Sequence, residues 1–338
     1  MKVRIAVIGT GIMGRNAATV WQRHPGVEVV AVCDTNADRA GQVATELGIA
    51  KHYSRYQDLL EKEQVDAVHV NTPDWAHRDP VVDALKAGKH VLVEKPLTTS
   101  VEEADEIVRA VEQTGKILQV SFNHRWLSVY HKVFSDIQKG ALGECLMGFA
   151  KKNNPITIPT EWIPWAGKST SAWFLSSHDI DLMCWWTGAR GVEVFATGAK
   201  KVLAAQGIDT YDAIQAQVRF DTGFFATFES AWIYSKKSPY IPDSYMEVVG
   251  SSGHVFMDRK AEAIEMATAD AYTYPRTLLN YQVFDRWVGA LPACMYSFID
   301  AINEKRQPFV TAKDGRKVTA ILDAIHRSLA SGKPEGIR

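Results

Sequence analysis

The sequence predicts two domains: a doubly wound parallel α/β sheet, then an α+β domain with a large, mostly antiparallel, open-faced sheet. Apolar runs alternate with helix-like stretches up to residue 123, and beyond that point long extended runs follow one another without helices between them. A chain of 338 residues also exceeds the size of one ordinary hydrophobic core. We therefore predict a first domain at residues 1–123 and a second at residues 124–338.

The first domain is predicted from five short apolar runs separated by stretches with helical spacing. The runs are VRIAVIG (3–9), VEVVAVCD (27–34), AVHVNTP (67–73), HVLVEKP (90–96) and ILQVSFN (117–123). Strands that are apolar on both faces and joined by helices are typical of a parallel sheet covered on both sides. Ser100 and Glu103 have the spacing of a capping box, which predicts a helix that begins at Val101.

The second domain is predicted from a change of pattern after residue 124. Residues 151–174 are irregular and rich in aromatic residues, and a helix is expected at about residues 178–186. The extended runs that follow are 192–200, 213–220, 223–232, 245–250, 254–258 and 263–268. Their alternation of polar and apolar residues is typical of an antiparallel sheet with one wetter face. A last helix is expected from Thr311 to about Ser331.

The composition argues against several classes of protein. The formal net charge of -1 and the lack of runs of Lys and Arg argue against a nucleic-acid partner. No stretch approaches the ~18 apolar residues of a membrane helix, and the first ten residues lack the pattern of a signal peptide. The four cysteines lie far apart in the sequence. We therefore expect free thiols, no metal site and a reduced, cytoplasmic protein.

A glycine-rich turn directly follows the first predicted strand. GTGIMG places Gly9, Gly11 and Gly14 in GxGxxG spacing, with Ile12 and Met13 between the last two glycines. In a Rossmann fold the first glycine makes the tight turn, the second lets the backbone approach a diphosphate, and the third lets the helix close on the strand. Unpaired amides at the start of the helix then bind the diphosphate. We predict that all five residues belong to a dinucleotide site.

Asp34 ends the second predicted strand, about 20 residues after the glycine motif, where an acidic residue binds the adenosine ribose hydroxyls. A carboxylate at this position repels a 2′-phosphate, so NAD is predicted rather than NADP, which remains the less favoured alternative. Arg39 is the nearest base that follows Asp34. A plain surface role is the alternative to a role for Arg39 at the cofactor.

Glu94, Lys95 and Pro96 stand at the carboxyl end of the predicted strand HVLV. In an open parallel sheet, ligands bind beyond the carboxyl ends of the strands. Pro96 disfavours helical geometry at Lys95 and holds this residue extended. The pair is therefore expected to project towards a nicotinamide, and the alternative is an ordinary surface pair on a loop.

These motifs together resemble the Gfo/Idh/MocA family of oxidoreductases, which includes glucose–fructose oxidoreductase and inositol dehydrogenases. The resemblance covers nearly the whole chain. It is carried in order by GTGIMG (9–14), NTPDWAH (71–77), AGKHVLVEKPL (87–97), SFNHRW (121–126), SSHDIDL (176–182) and MEVVGSSGHVFMD (246–258).

The resemblance implies that a secondary alcohol of a sugar, inositol or related polyol gives hydride to the nicotinamide and loses a proton. It assigns Lys95 the proton transfer or a share in it. Glu94 is expected to orient neighbouring groups or the nicotinamide ribose. Thr72, Pro73 and His77 are predicted to belong to the cofactor site. Thr72 and Pro73 are expected to run beside the cofactor, and His77 to be a hydrogen-bonding residue of the loop or the helix start rather than a catalyst.

The resemblance also places a catalytic element at WFLSSHDIDL (173–182). It implies that His178 is a general base or a hydrogen-bond partner of the substrate. Asp181, one helical turn further on, is predicted to bind substrate, and the alternative is that it anchors the helix. Many family members carry an aspartate where this chain has Phe174, so no carboxylate acts there. Asp179 or Asp181 could compensate.

Two further residues are predicted to bind substrate. Arg125 is a candidate for a hydroxyl or carboxylate of the substrate. Trp162, in a segment with Trp165 and Trp173, could stack on the C–H face of a sugar, and core or dimer packing explains these rings equally well.

Two other functions share the predicted fold. One is a glycosidase that oxidises and re-reduces a sugar on a retained NAD, and the other is a sensor that binds dinucleotide without catalysis. The presence of both Lys95 and His178 argues against the sensor. We also expect a homodimer or homotetramer, formed through the open face of the second-domain sheet.

Overall fold

The chain forms two compact units in the computed structural model, which describes residues 2–338. The first contains the chain up to Asn123 together with Gln282–Arg316, and the second contains His124–Tyr281 and Lys317–Arg338. The two units therefore divide at the predicted residue 123. The second unit is not the continuous span 124–338 that the sequence predicted, because residues 282–316 belong to the first.

A sheet of six parallel strands forms the centre of the first unit. The strands are β1 (Val3–Ile8), β2 (Val27–Cys33), β3 (Lys51–Tyr53), β4 (Ala67–Val70), β5 (His90–Val93) and β6 (Leu118–Val120). The helices between them are α1 (Ile12–Gln22), α2 (Ala37–Leu47), α3 (Tyr56–Lys62), α4 (Arg78–Lys86) and α5 (Val101–Thr114). The strand order β3-β2-β1-β4-β5-β6 is that of a Rossmann fold, which confirms the predicted fold class.

Local signals set both ends of α5, which begins at Val101 as predicted. The Ser100 side chain accepts a hydrogen bond from Glu103 N and so caps α5. The capping box is incomplete, because the Glu103 carboxylate accepts from Thr98 Oγ1 rather than from the backbone of Ser100. At the other end Gly115 has φ +63°, the left-handed conformation that ends a helix.

The second unit contains one large mixed sheet. Its sheet has seven strands: β7 (Cys145–Pro155), β8 (Gly191–Ala199), β9 (Ala213–Phe220), β10 (Phe225–Tyr234), β11 (Asp243–Gly250), β12 (His254–Asp258) and β17 (Glu335–Gly336). Two short ladders pair β13 (Met266–Ala267) with β14 (Tyr272–Thr273), and β15 (Tyr281–Val283) with β16 (Arg286–Val288).

The order of the large sheet is β12-β11-β7-β10-β9-β8-β17. β7 and β10 are parallel, whereas all other neighbouring strands in this sheet are antiparallel. The helices are α6 (Ser128–Gln138), α7 (Ser177–Thr187) and α9 (Ala312–Ser331), which belongs to this unit from Lys317 onwards. The extended run predicted at 263–268 is shorter than expected, since only β13 forms there.

One face of this sheet is covered and the other is open. Ala196 N in β8 donates to Ser328 Oγ in α9, and Gly148 in β7 lies against Met183 of α7. On the opposite face Phe225 is 39% exposed and Phe256 is 59% exposed. These exposures confirm the predicted open-faced sheet.

Elements of the first unit that were not predicted from the sequence include β3, α3 and the longest of them, α8 (Ala290–Glu304). Its residues Leu291, Met295 and Phe298 are buried in one apolar cluster with residues of β1, β2 and α1. Gln119 Nε2 in β6 also donates to Cys294 O at 2.8 Å. α8 therefore covers the parallel sheet from a position some 170 residues further along the chain, and no local pattern announces such a contact.

Across residues 2–338 no helix is long and apolar enough to cross a membrane. All four cysteines are free thiols. Within the same residues there is no group of three or more His, Cys, Asp or Glu side chains that could hold a metal ion.

Candidate nucleotide and substrate sites

The turn between β1 and α1 requires glycine at two positions. Gly9 has φ +90°, and a Cβ added there would lie 2.6 Å from Asn71 O. A Cβ at Gly14 would lie 1.7 Å from Gly9 O. Since real Cβ contacts are never this short, no side chain fits at either residue without a shift of the backbone.

Gly11 differs from the other two glycines. It caps α1 without a side-chain hydrogen bond, and a Cβ added there would meet nothing within 4 Å. Ile12, the first residue of the helix, is 57% exposed. The first amides of α1 therefore face open space, which fits a diphosphate. Met13 packs against the core of the first unit, so its side chain serves packing.

Asp34 lies directly beyond β2 and is buried, with 6% of its surface exposed. Its Oδ2 accepts from Thr10 N at 2.8 Å and its Oδ1 from Asn36 N at 2.9 Å. Arg39 forms an ion pair with the same carboxylate. Burial alone raises the pKa of Asp34, but the hydrogen bonds from Arg39, Asn36 and Thr10 lower it below its ordinary value. The carboxylate is thus held ionised at the position predicted for the adenosine ribose.

Four buried polar atoms at the carboxyl ends of β4, β5 and β6 lack a hydrogen-bond partner among residues 2–338. They are Asn71 Oδ1, Glu94 Oε1, Ser121 Oγ and Asn123 Oδ1. Leaving such groups unpaired is costly, so unpartnered groups that cluster beyond adjacent strands indicate a ligand. Donor hydroxyls of a nicotinamide ribose fit the acceptor oxygens. The residues present therefore fit NAD at both the diphosphate and the nicotinamide end.

Lys95 is partly buried next to two carboxylates. Burial lowers the pKa of Lys95 from its ordinary value, whereas the charges of Glu94 and Asp74 oppose this shift. Burial also raises the pKa of Glu94 to about 7, and the charge of Lys95 opposes that change. The amine can therefore lose its proton more readily than an exposed lysine. Asp74, which the sequence analysis did not select, is buried and close enough to act on this equilibrium.

His77 and Thr72 form hydrogen bonds that hold the loop beyond β4, which is a structural role rather than a catalytic one. The buried His77 ring places Nδ1 2.8 Å from Pro96 O and Nε2 2.9 Å from Thr72 O. Pro73 precedes the short turn Asp74–Ala76. His77 thus joins the loop after β4 to the segment that carries Lys95. This geometry is that of the hydrogen-bonding loop residue expected from the resemblance.

In the second unit, His178 is half-buried in the first turn of α7 and stacks on His124. The ring centroids are 4.0 Å apart and the ring planes are inclined by 15°. Burial lowers the pKa of His124 well below its ordinary value, and the neighbouring His178, Lys152, Arg259 and Arg276 add to this effect. The ring that stacks on the predicted catalytic His178 is therefore a neutral imidazole.

Two buried ion pairs anchor the residues around His178. Arg125 donates to Asp181 through Nε at 2.9 Å and Nη2 at 2.6 Å. Lys152 in β7 pairs with Asp179 in α7. Asp179 and Asp181 could compensate for the aspartate that Phe174 replaces, and each of these carboxylates is thus paired with a cation. The mutual pairing favours a positioning role for Arg125 and Asp181, and their direct contact with substrate stays a prediction.

The aromatic side chains of residues 162–174 differ in exposure: some pack inside the unit and one is exposed. Trp173 is buried and stacks on His326 at 4.9 Å, so it is a packing residue. Phe174 packs near Trp165 and Trp232 in a small apolar cluster. Trp162 is 49% exposed, which leaves its ring available to a ligand.

Family comparison gives matches in both units. Residues 3–122 match the oxidoreductase family with the NAD-binding Rossmann fold, and residues 135–337 match the C-terminal alpha/beta domain of the same family. The chain belongs to the Gfo/Idh/MocA oxidoreductase family. The resemblance inferred from the sequence motifs is confirmed, and the protein is an NAD-binding oxidoreductase.

Relatives with established names act on different polyols and sugars. A scyllo-inositol 2-dehydrogenase (NAD(+)) of Bacillus subtilis is 30% identical over 98% of this chain and 96% of that enzyme. A 1,5-anhydro-D-fructose reductase of Ensifer adhaerens is 26% identical over 98% of this chain and 97% of the reductase. The crystal structure of scyllo-inositol dehydrogenase from Lactobacillus casei with NAD(H) and scyllo-inositol has a TM-score of 0.85 at 18% identity, covering 100% and 99% of the two chains. That last likeness concerns the fold alone.

Proposed function

We propose that the protein oxidises a secondary alcohol of an inositol, sugar or related polyol with NAD as hydride acceptor. The observation that carries this proposal is the group of unpartnered buried oxygens beyond β4, β5 and β6, among them Glu94 Oε1, at the same strand ends as Lys95 in the unit that matches the NAD-binding family. Burial also lowers the pKa of Lys95. The relatives named inositol dehydrogenase and anhydrofructose reductase support the class of substrate.

The first unit would hold NAD through its glycine turn and strand ends. The turn Gly9–Gly14 would bind the diphosphate, Asp34 the adenosine ribose, and Glu94 a hydroxyl of the nicotinamide ribose. Thr72 and Pro73 would run beside the cofactor. Bound NAD supplies the hydride acceptor, and the protein supplies the orientation and the proton transfer.

Lys95 would accept the proton of the substrate hydroxyl. Its neutral amine is accessible because burial disfavours the ammonium form. As the ammonium forms, the carboxylates of Glu94 and Asp74 stabilise the new charge. His178 would act as a second base or as a hydrogen-bond partner of the substrate hydroxyl, with His124 holding its ring plane.

A substrate panel tests the function. The purified protein is incubated with NAD or NADP and with inositols, sugars and sugar acids, and reduced cofactor is measured. We expect steady formation of NADH with at least one free polyol. Cleavage of an aryl glycoside without NADH accumulation would favour the NAD-retaining glycosidase. Cofactor binding without any turnover of a polyol or glycoside would favour the sensor.

We further infer that the open face of the second-unit sheet is covered by another copy of the chain, giving a homodimer or homotetramer. The exposed rings of Phe225 and Phe256 on that face support this proposal. The free thiols support a reducing, cytoplasmic location.

A further inference from the structure

A cluster of cationic side chains lies around His124, next to the proposed catalytic His178. Lys152 and Arg259 are almost fully buried, with 2% and 8% of their surface exposed. Arg276 is partly buried, with 29% of its side-chain surface exposed. Arg259 Nη1 lies 3.4 Å from Tyr130 Oη, and the Tyr130 ring lies 5.7 Å from the His124 ring, which stacks on His178. Lys152 pairs with Asp179, the residue after His178. The charges of all three cations also lower the pKa of His124.

The carboxylates around this cluster do not balance its charge. Lys152 pairs with Asp179, which accounts for one cation. Arg259 Nη2 lies 3.0 Å and Arg276 Nε 3.6 Å from the same oxygen, Glu262 Oε1. Within the described part of the chain, these three cations therefore share two carboxylates. Arg125 adds nothing to the surplus because Asp181 neutralises it.

The second oxygen of Glu262 is not available to pair with either arginine. Its Oε2 already accepts hydrogen bonds from Thr277 N at 2.6 Å and Leu278 N at 2.7 Å. The two guanidinium groups also disfavour each other: burial and the charge of Arg259 lower the pKa of Arg276. A surplus positive charge in a partly closed site is costly unless an anion pairs with it.

Hydrogen-bonding groups around the cluster are also open. Arg259 Nε and His124 Nδ1 are buried and have no partner among residues 2–338. The same holds for Asn154 Oδ1, two residues beyond Lys152 on the same face of β7, and for Ser177 Oγ at the start of α7. A guanidinium N–H matches an anionic oxygen, and the amide and hydroxyl oxygens match alcohol groups.

We propose that this cluster binds the carboxylate of a polyhydroxylated acid, so that the substrate is a sugar acid rather than a neutral polyol. The inference rests on the proposed dehydrogenase function and narrows its substrate class. The surplus of one positive charge matches a carboxylate. A phosphate monoester carries about −1.5 to −2 at neutral pH and would leave the site negative.

The test compares three sets of compounds as substrates with NAD: hexoses and inositols, the matching uronic and aldonic acids, and hexose phosphates. We expect the wild-type protein to favour acids over neutral polyols by roughly ten- to hundredfold in kcat/KM, the scale of one charge-assisted hydrogen bond. Arg276→Gln, at the exposed rim of the cluster, should reduce this preference mainly through a higher KM for the acid. The matched control is Arg190→Gln, an exposed arginine elsewhere in the same unit, which should keep the preference.

The outcomes separate the two proposals. Neutral polyols used at least as well as acids, with Arg276→Gln lowering both equally, would overturn the sugar-acid inference and leave the dehydrogenase intact. A preference for hexose phosphates would overturn the carboxylate assignment. If no compound yields NADH, the proposed function itself fails. Should Arg276→Gln not fold, the same preference is read from thermal protection of the NAD-loaded wild-type protein by gluconate, compared with protection by glucitol.

Discussion

The guanidinium of Arg39 covers the carboxylate of Asp34, with Nη2 2.7 Å from Oδ1 and Nε 3.1 Å from Oδ2. If Asp34 binds the adenosine ribose as proposed, a base already stands next to the place of a 2′-phosphate. We therefore expect cofactor choice to depend on both residues. Asp34 would favour NAD by repelling a phosphate, and Arg39 would bind one once its partner is gone.

Asp34→Ala should weaken NAD binding roughly tenfold or more, because the hydrogen bonds that the ribose hydroxyls would donate to the charged carboxylate are lost. It should also raise the NADP to NAD ratio of kcat/KM, since Arg39 is freed. The double variant Asp34→Ala/Arg39→Ala is the control and should lose the gain with NADP. An unchanged cofactor ratio in the single variant would remove Asp34 from the ribose site.

Gly14→Ala should lower the stability of the fold, whereas Gly11→Ala should lower the affinity for NAD. A Cβ at Gly14 collides with Gly9 O, so this variant should lose at least about 2 kcal/mol of unfolding free energy in urea titrations. A Cβ at Gly11 meets nothing in the protein, so stability should hold while NAD affinity falls as the methyl group meets the diphosphate. Gly11→Ala with wild-type NAD affinity would contradict the placement of the diphosphate.

The pH dependence of oxidation should report on Lys95. The neutral amine is the active form, so kcat/KM should rise with pH and level off above the lowered pKa of Lys95. Since the charge of Glu94 raises that pKa, Glu94→Gln should move the rising limb to lower pH. The pKa of Glu94 is about 7, so the two profiles should agree below this pH and separate above it. A shift to higher pH in Glu94→Gln would contradict the account.

Light scattering at micromolar concentration should show a dimer or tetramer. Phe256→Lys or Phe225→Lys should reduce the assembled mass, because each places a charge on the open face of the sheet. Phe309→Lys, an exposed phenylalanine in the first unit, is the matched control and should leave the mass unchanged. A wild-type monomer would remove the oligomer proposal.

The sequence predicted those features that depend on local pattern. GxGxxG spacing, together with Asp34 at the end of β2, predicted a nucleotide site in the first unit, and this unit matches an NAD-binding Rossmann family. Alternation within 213–220 indicated the open-faced sheet. The predictions failed where long-range packing decides the structure. Most residues of α8 are apolar, so the helix needs a surface to cover. That surface is the parallel sheet, which only the folded first unit provides.

The same limit applies to the site residues. Asp74 lies between Pro73 and His77 in NTPDWAH, and an acidic residue shortly after the parallel strand β4 was a signal that could have been used. Lys152 and Arg259 could not have been selected, because only the folded structure shows that they are buried and paired with Asp179 and Glu262. The pairing of Arg125 with Asp181 was likewise hidden, since 56 residues separate them in sequence.

The central claim is that Lys95 moves the proton during hydride transfer to NAD. It is tested most directly by single-turnover oxidation of a polyol substrate by wild type and Lys95→Ala at saturating NAD, with NAD dissociation constants measured alongside. We predict that the variant loses roughly 10²- to 10⁴-fold in the rate of NADH formation, the usual contribution of a positioned acid–base group, while NAD affinity stays within about tenfold. NADH formation by Lys95→Ala at the wild-type rate, or a loss explained wholly by weaker NAD binding, would contradict it.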